Sequence, residues 1–84
     1  MIVTNVAVRK VANAGNFLGS ASVTLDGAVI INDCKIMNGK NGKFVSLPER
    51  KGKDDKYYNV VWVVDNRLRE EMTAKILEEF DKAQ

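Results

Sequence analysis

Asp26-Gly27, set between two stretches of alternating residues, restricts this chain more than any other feature. Two-residue Asp-Gly loops favour the type I′ turn, which needs positive φ at both central residues and whose twist matches the strands it joins. Before the turn, Phe17, Gly19, Ala21, Val23 and Leu25 share one phase, with Ser20, Ser22 and Thr24 opposite. That is the pattern of a half-exposed antiparallel strand. After it, Val29 and Ile31 fall in phase with Asp33, Lys35 and Met37, and Ile30 with Cys34 and Ile36. This predicts a third strand over residues 29–37, largely buried on one side and mixed on the other.

The rest of the chain extends this hairpin. Residues 3–11 read as a strand, and Asn13, Ala14, Gly15 and Asn16 as a turn. A dense turn over residues 38–42, with Gly39 and Gly42, leads into a short strand over 43–47 that Pro48 ends. Residues 49–56 read as a charged loop. Residues 57–64 are strongly β-prone, with Tyr58, Val60, Trp62 and Val64 in one phase. Asp65 or Asn66 can then cap a helix in which Leu68, Met72, Ile76 and Phe80 recur every four residues and Leu77 widens the stripe. Glu70 and Glu71 sit near its positive end and Lys82 near its negative end, and Glu71–Lys75 and Glu78–Lys82 are spaced as i,i+4 pairs. The expected fold is therefore α+β: a small, mainly antiparallel sheet of about five strands with a C-terminal helix packed on it.

Eighty-four residues make one domain at most, with a narrow margin of stability that self-association would widen. The single cysteine, Cys34, has no partner for an internal disulfide and reads as a small buried hydrophobe. With no histidine and one thiol, the common zinc arrangements are excluded. No phosphate-cradling loop leads into a helix, since the glycines of residues 38–42 precede a strand. Asp26 suits the turn and Asp33 an exposed or hydrogen-bonded position, rather than paired carboxylate catalysis. We therefore expect no catalytic residue, no cofactor and no metal. No stretch reads as a signal peptide or a membrane span, and a cytoplasmic protein is expected.

The formal charge of +2 is unevenly placed. Residues 35–58 hold seven basic groups (Lys35, Lys40, Lys43, Arg50, Lys51, Lys53, Lys56) and three acidic ones (Glu49, Asp54, Asp55), a local +4. Lys40, Lys43, Arg50, Lys51, Lys53 and Lys56 flank one short strand, so a hairpin-like return would bring them to the same end of the sheet. Long basic side chains on such loops suit a phosphate backbone, and a twofold dimer would double the patch to roughly 4–6 phosphate contacts. On the residues alone, a solvated loop and a nucleic-acid contact are nearly balanced. Trp62, Tyr57 and Tyr58 suit core or interface packing better than base stacking.

These residues carry a resemblance. Val3-Thr4, Val6, Arg9 with Val11, the run from Ala21 to Asp26, Asp33, Gly39 with Asn41-Gly42, Phe44-Val45 and Pro48 resemble the SpoVG family, the stage V sporulation protein G or septation-regulator group. Arg69, Met72, Ile76, Leu77, Glu79 and Phe80 match more loosely, and the likeness runs end to end, making residues 1–84 a single SpoVG-like domain. The resemblance implies a homodimer formed through β-strands and a non-catalytic role in septation and sporulation-type gene control through DNA and RNA binding. It places nucleic-acid contact on the basic stretch after the proline, here Arg50, Lys51 and Lys53, with Arg69 as a second contributor. The chain departs from the family at Glu49, where serine is usual and the positive field is weakened, at Asn59, where an acidic residue is usual, and at Trp62-Val63, where a His-Pro pair is usual. The alternative is an interaction module for division-machinery proteins that does not bind nucleic acid itself.

Overall fold

The computed structural model describes residues 1–12 and 15–83; Asn13 and Ala14 of the expected first turn lie outside the described residues. Strands β1 (Val3–Lys10), β2 (Phe17–Leu25), β3 (Val29–Gly39) and β4 (Gly42–Ser46) form an antiparallel sheet in the order β1-β2-β3-β4. Strands β5 (Glu49–Lys51) and β6 (Tyr57–Asn59) form a separate hairpin, and helix α1 (Asn66–Lys82) closes the chain. The architecture is α+β, as the alternation and the final helical stripe predict.

At the central turn, Asp26 and Gly27 both hold positive φ, +54° and +61°, and the Ala28 N–H donates to the Leu25 carbonyl at 2.9 Å. The ladder resumes with Leu25 opposite Val29, so Ala28 is one residue more than the minimal loop. The Asp26 carboxylate accepts the Ile2 N–H at 2.8 Å while its own N–H donates to the Ile2 carbonyl at 2.9 Å, which ties the start of the chain to this turn.

One face of the sheet carries Ala21, Val23, Leu25, Ile31, Cys34 and Ile36, all buried against Met72 and Ile76 of the helix, with Val63 completing the core. Leu68, Leu77 and Phe80 pack at its margin, so every residue of the expected helical stripe faces the sheet. Asp65 caps the helix, its carboxylate accepting from the N–H groups of Arg67 and Leu68. Glu78 pairs with Lys82 at 3.1 Å as its spacing predicts. Glu71 does not reach along the helix to Lys75; its carboxylate accepts the Val3 N–H at 2.7 Å and ties β1 to α1. A local helical pair yields here to a tertiary hydrogen bond with a charged acceptor, which is the stronger interaction.

Besides the phase of Phe17, which turns to the opposite face because Leu18 is the extra residue of a bulge between the Phe17–Met37 and Gly19–Ile36 pairs and packs on the core itself, two expectations are corrected. The phase assigned to the third strand breaks inside it: Ala21 pairs with Cys34 and Val23 with Ile31, so Asn32 and Asp33 together oppose Ser22. This β-bulge, with Asp33 at φ +63°, turns Ile31, Cys34 and Ile36 to the same face although their positions in the sequence alternate otherwise. Second, residues 49–56 are not simply a loop and residues 57–64 are not one strand. Arg50 pairs with Tyr58 and Lys51 with Tyr57, closed by a turn in which Gly52 donates to Lys56 O at 2.8 Å and Asp55 takes φ +62°. Residues 60–64 continue without a strand partner after the Val60 N–H donates to the Pro48 carbonyl at 2.9 Å.

Candidate nucleic-acid interface

The basic side chains singled out in the sequence fall into three places. Lys40 lies in the β3–β4 turn, and Lys43 on β4 faces the helix, 3.4 Å from the Asp81 carboxylate and 5.6 Å from the centre of the Phe80 ring. Lys10 of β1 lies over the same ring at 4.8 Å, a neighbour that sequence spacing did not point to. Lys10 and Lys43 thus bring their ammonium groups over one aromatic ring at the helix end, a cation–π arrangement.

Arg50, Lys51, Lys53 and Lys56 belong to the β5–β6 hairpin, at the far end of β4. The four residue steps from Gly42 to Ser46, about 13 Å of strand, separate the two groups, so the expected meeting at one end of the sheet does not occur within a single chain. The hairpin is also less positive than the whole stretch. Four basic groups stand there against Glu49, Asp54 and Asp55. Lys51 lies 3.6 Å from Asp55. Asp54 accepts from the Tyr58 hydroxyl at 2.5 Å and the Lys56 N–H at 3.2 Å, and these bonds hold its carboxyl below the usual range. Among the described residues, Arg50, Lys53 and Lys56 form no ion pair, and the strand residues of the hairpin are exposed.

Arg69 occupies the third place. Its guanidinium stacks on Trp62 at 4.8 Å, donates to the Val63 carbonyl at 3.1 Å and bonds the Asn66 side chain. It braces residues 60–64 against the helix N-terminus, beside a cleft of about 320 Å³ lined by Leu47, Glu49, Asn59, Trp62 and Met72. Trp62 itself is 57% exposed, with Val60 at 58% and Val64 at 85%. Only Val61 and Val63 of this stretch turn inward. The alternation expected for 57–64 is present only over residues 60–64, where the Trp62 phase faces outward; Tyr57, Tyr58 and Asn59 are all exposed.

Cys34 is fully buried, and its thiol is pushed up to about 11, by burial first and by the neighbouring Asp33 carboxylate second. It therefore stays protonated at neutral pH, as a packing residue rather than a nucleophile. Among the described residues, no cluster of three or more His, Cys, Asp or Glu side chains is placed to hold a metal ion. No described helix is long and apolar enough to cross a membrane.

Comparison with known proteins gives one consistent result. The family model described as SpoVG matches residues 1–82. A protein of Clostridium beijerinckii named "putative septation protein SpoVG" is 34% identical over 83 residues, covering 99% of this chain and 91% of its own. Relatives of the same name in Lachnospira eligens and Clostridium kluyveri are 31% and 34% identical. They cover 100% and 98% of this chain, and 96% and 85% of their own length.

Proposed function

This chain belongs to the SpoVG family, and on that premise we propose that it is a non-catalytic, dimeric regulator of septation and sporulation-type gene expression that binds DNA and RNA in the cytoplasm. The observation that carries the reading is the β5–β6 hairpin, a two-stranded arm outside the main sheet that presents Arg50, Lys51, Lys53 and Lys56. Lys40 and Lys43 add a second basic point at the other end of β4. Because β4 keeps the two points apart in one chain, a continuous phosphate track needs a second copy to bring them together. Arg69 contributes by setting the segment from which the arm returns, with its remaining donors open to phosphate.

The reading is tested by titrating labelled duplex DNA and single-stranded RNA with the wild type and with the triple variant Arg50→Glu/Lys51→Glu/Lys53→Glu. Affinity at low salt is expected to fall at least about a hundredfold. The slope of log K against log salt should flatten by about 0.9 for each duplex phosphate contact removed. Binding unchanged by the reversal would remove the hairpin from the site.

The dimer is supported by residues 61–64, which have no strand partner, and by the outward side chains of Val60, Trp62 and Val64. Unpaired backbone beside exposed apolar side chains favours pairing with another strand. We expect sedimentation equilibrium to give twice the chain mass at tens of micromolar, and Val60→Lys/Val64→Lys to shift that mass towards one chain. A wild-type monomer at that concentration would contradict it. The same exposed segment supports the second reading, docking to a division protein, which a monomeric chain without nucleic-acid affinity would favour.

A further inference from the structure

The helix covers one face of the four-stranded sheet and leaves the other open, and the register orders what that open face presents. Arg9 pairs with Ser20, Ser20 with Lys35 and Lys35 with Ser46, so one row across all four strands alternates cation and hydroxyl. The adjacent row is Phe17, Met37 and Phe44. Phe44 lies over Gly39, where an added methyl would meet its ring at 3.0 Å, and is 49% exposed. On the other side of the cationic row, the small residues Ala7 and Ser22 and the bulge residues Asn32 and Asp33 leave a trough of about 420 Å³ beside Arg9 and Ser20. Among the described residues, neither Arg9 nor Lys35 is in an ion pair. The carboxylates near this face are Asp33, one row away, and Glu49, beyond Ser46 with the exposed Tyr57.

We propose that this open face binds single-stranded nucleic acid, with Arg9 and Lys35 holding phosphates and Phe44 stacking on a base. The inference rests on the nucleic-acid reading above but assigns a surface separate from the hairpin. Arg9 and Lys35 stand two strand spacings apart, about 10 Å, and the stacking row lies two residue steps away, about 7 Å. A backbone along one row therefore has its bases over the next. Charge complementarity selects an anion, and the half-exposed aromatic beside the cations selects one with planar rings. Stacking needs bases that are not already stacked, and a broad sheet face does not enter a duplex groove, so the occupant is a single strand. Asp33 repels phosphate from the trough side and confines the path to the Arg9–Lys35 row.

Fluorescence anisotropy with a short labelled single-stranded RNA and a duplex DNA tests the assignment on four proteins: wild type, Arg9→Gln/Lys35→Gln, Phe44→Ala and the hairpin triple reversal. Far-UV circular dichroism and sedimentation accompany each protein. We expect Phe44→Ala to weaken single-strand binding about tenfold or more. The double variant should flatten the single-strand salt slope by about 1.4, which is 0.7 for each of two contacts. Both should bind duplex within about twofold of wild type, whereas the hairpin reversal lowers duplex affinity. Single-strand binding unchanged in both face variants overturns the proposal, and if it is lost only in the hairpin variant the general function stands. A wild type that binds duplex but not the single strand overturns the face alone; one that binds neither overturns both readings. Equal affinity for a polyglutamate chain, or a changed sedimentation mass in the face variants, would assign the face to acidic peptides or to a second copy and overturn the proposal.

Discussion

Replacing Ile76 with alanine is expected to lower the free energy of unfolding by about 2–5 kcal/mol, far more than removing the much larger side chain of Trp62. Ile76 is fully buried, beside Met72 at 1% exposure, in the same core as Val23 and Ile36. The stripe on α1 supplies most of what holds the helix to the sheet; outside it are Glu71 on Val3 and the Lys43–Asp81 pair. Deleting three carbons there removes transfer free energy and leaves a cavity that a short helix on a rigid sheet fills poorly. A domain of this size is stable by only about 4–12 kcal/mol, at 0.05–0.15 per residue. The substitution should therefore lower the melting temperature by at least about 8 °C. Trp62→Ala loses only an exposed ring and its stack with Arg69, worth about 0.5–1 kcal/mol. Thermal unfolding of both variants, at a protein concentration low enough to keep association out of the comparison, decides the matter. Equal losses would mean that the outward face of residues 60–64 carries fold stability that its exposure does not indicate.

The contrast between Ile76 and Trp62 also explains which parts of the fold were legible in the sequence. Where a local pattern and the tertiary environment agree, the reading is sharp. Gly19 to Leu25 alternates because one face of β2 lies in the core under α1, and Leu68 to Phe80 repeats because one stripe meets that same face; only at Phe17 does a bulge at Leu18 shift the phase. The Asp26-Gly27 turn belongs to the same class, since its chemistry is contained in two residues. The reading fails where one residue shifts the period. Asn32 and Asp33 look like ordinary strand positions until the partner ladder shows them sharing Ser22. The only local signal was the Asn-Asp pair itself, two residue types that tolerate positive φ.

The basic stretch was legible as a concentration of charge, but charge along a chain carries no record of direction. β4 runs between the two groups and sends them to opposite ends. The β5–β6 hairpin was hidden because Glu49, Arg50 and Lys51 have little strand propensity; their pairing is set by the Gly52–Asp55 turn and by Tyr58 on Asp54. Propensity yields to turn chemistry in so short an arm. The Arg9–Lys35 row is likewise invisible to sequence spacing, because residues far apart in the chain become neighbours only through the register of three ladders.

Two single-residue deletions only three positions apart in β3 should have opposite results. In an unbroken strand the inward residues are two apart, yet Ile31 and Cys34, both inward, are three apart across the bulge. Deleting Asn32 leaves Asp33 alone opposite Ser22 and restores the ordinary spacing, so Ile31, Cys34 and Ile36 still face the helix. The change also lets Asp33 leave the left-handed conformation, which opposes folding for a residue with a side chain. Stability should stay within about 1 kcal/mol of wild type, since the residue removed is the unpaired one of the bulge. Deleting Lys35 has the reverse effect. Cys34 and Ile36, both fully buried, become adjacent and cannot both point inward, and the pairing of Ile36 with Val45 is lost with the phase of everything beyond it. Exposing one such side chain and breaking the β3–β4 register should remove about 3–5 kcal/mol or more, most or all of the stability available. Urea unfolding followed by circular dichroism separates the two outcomes. If deleting Asn32 unfolds the chain as completely as deleting Lys35, then the bulge does not set the phase of the core.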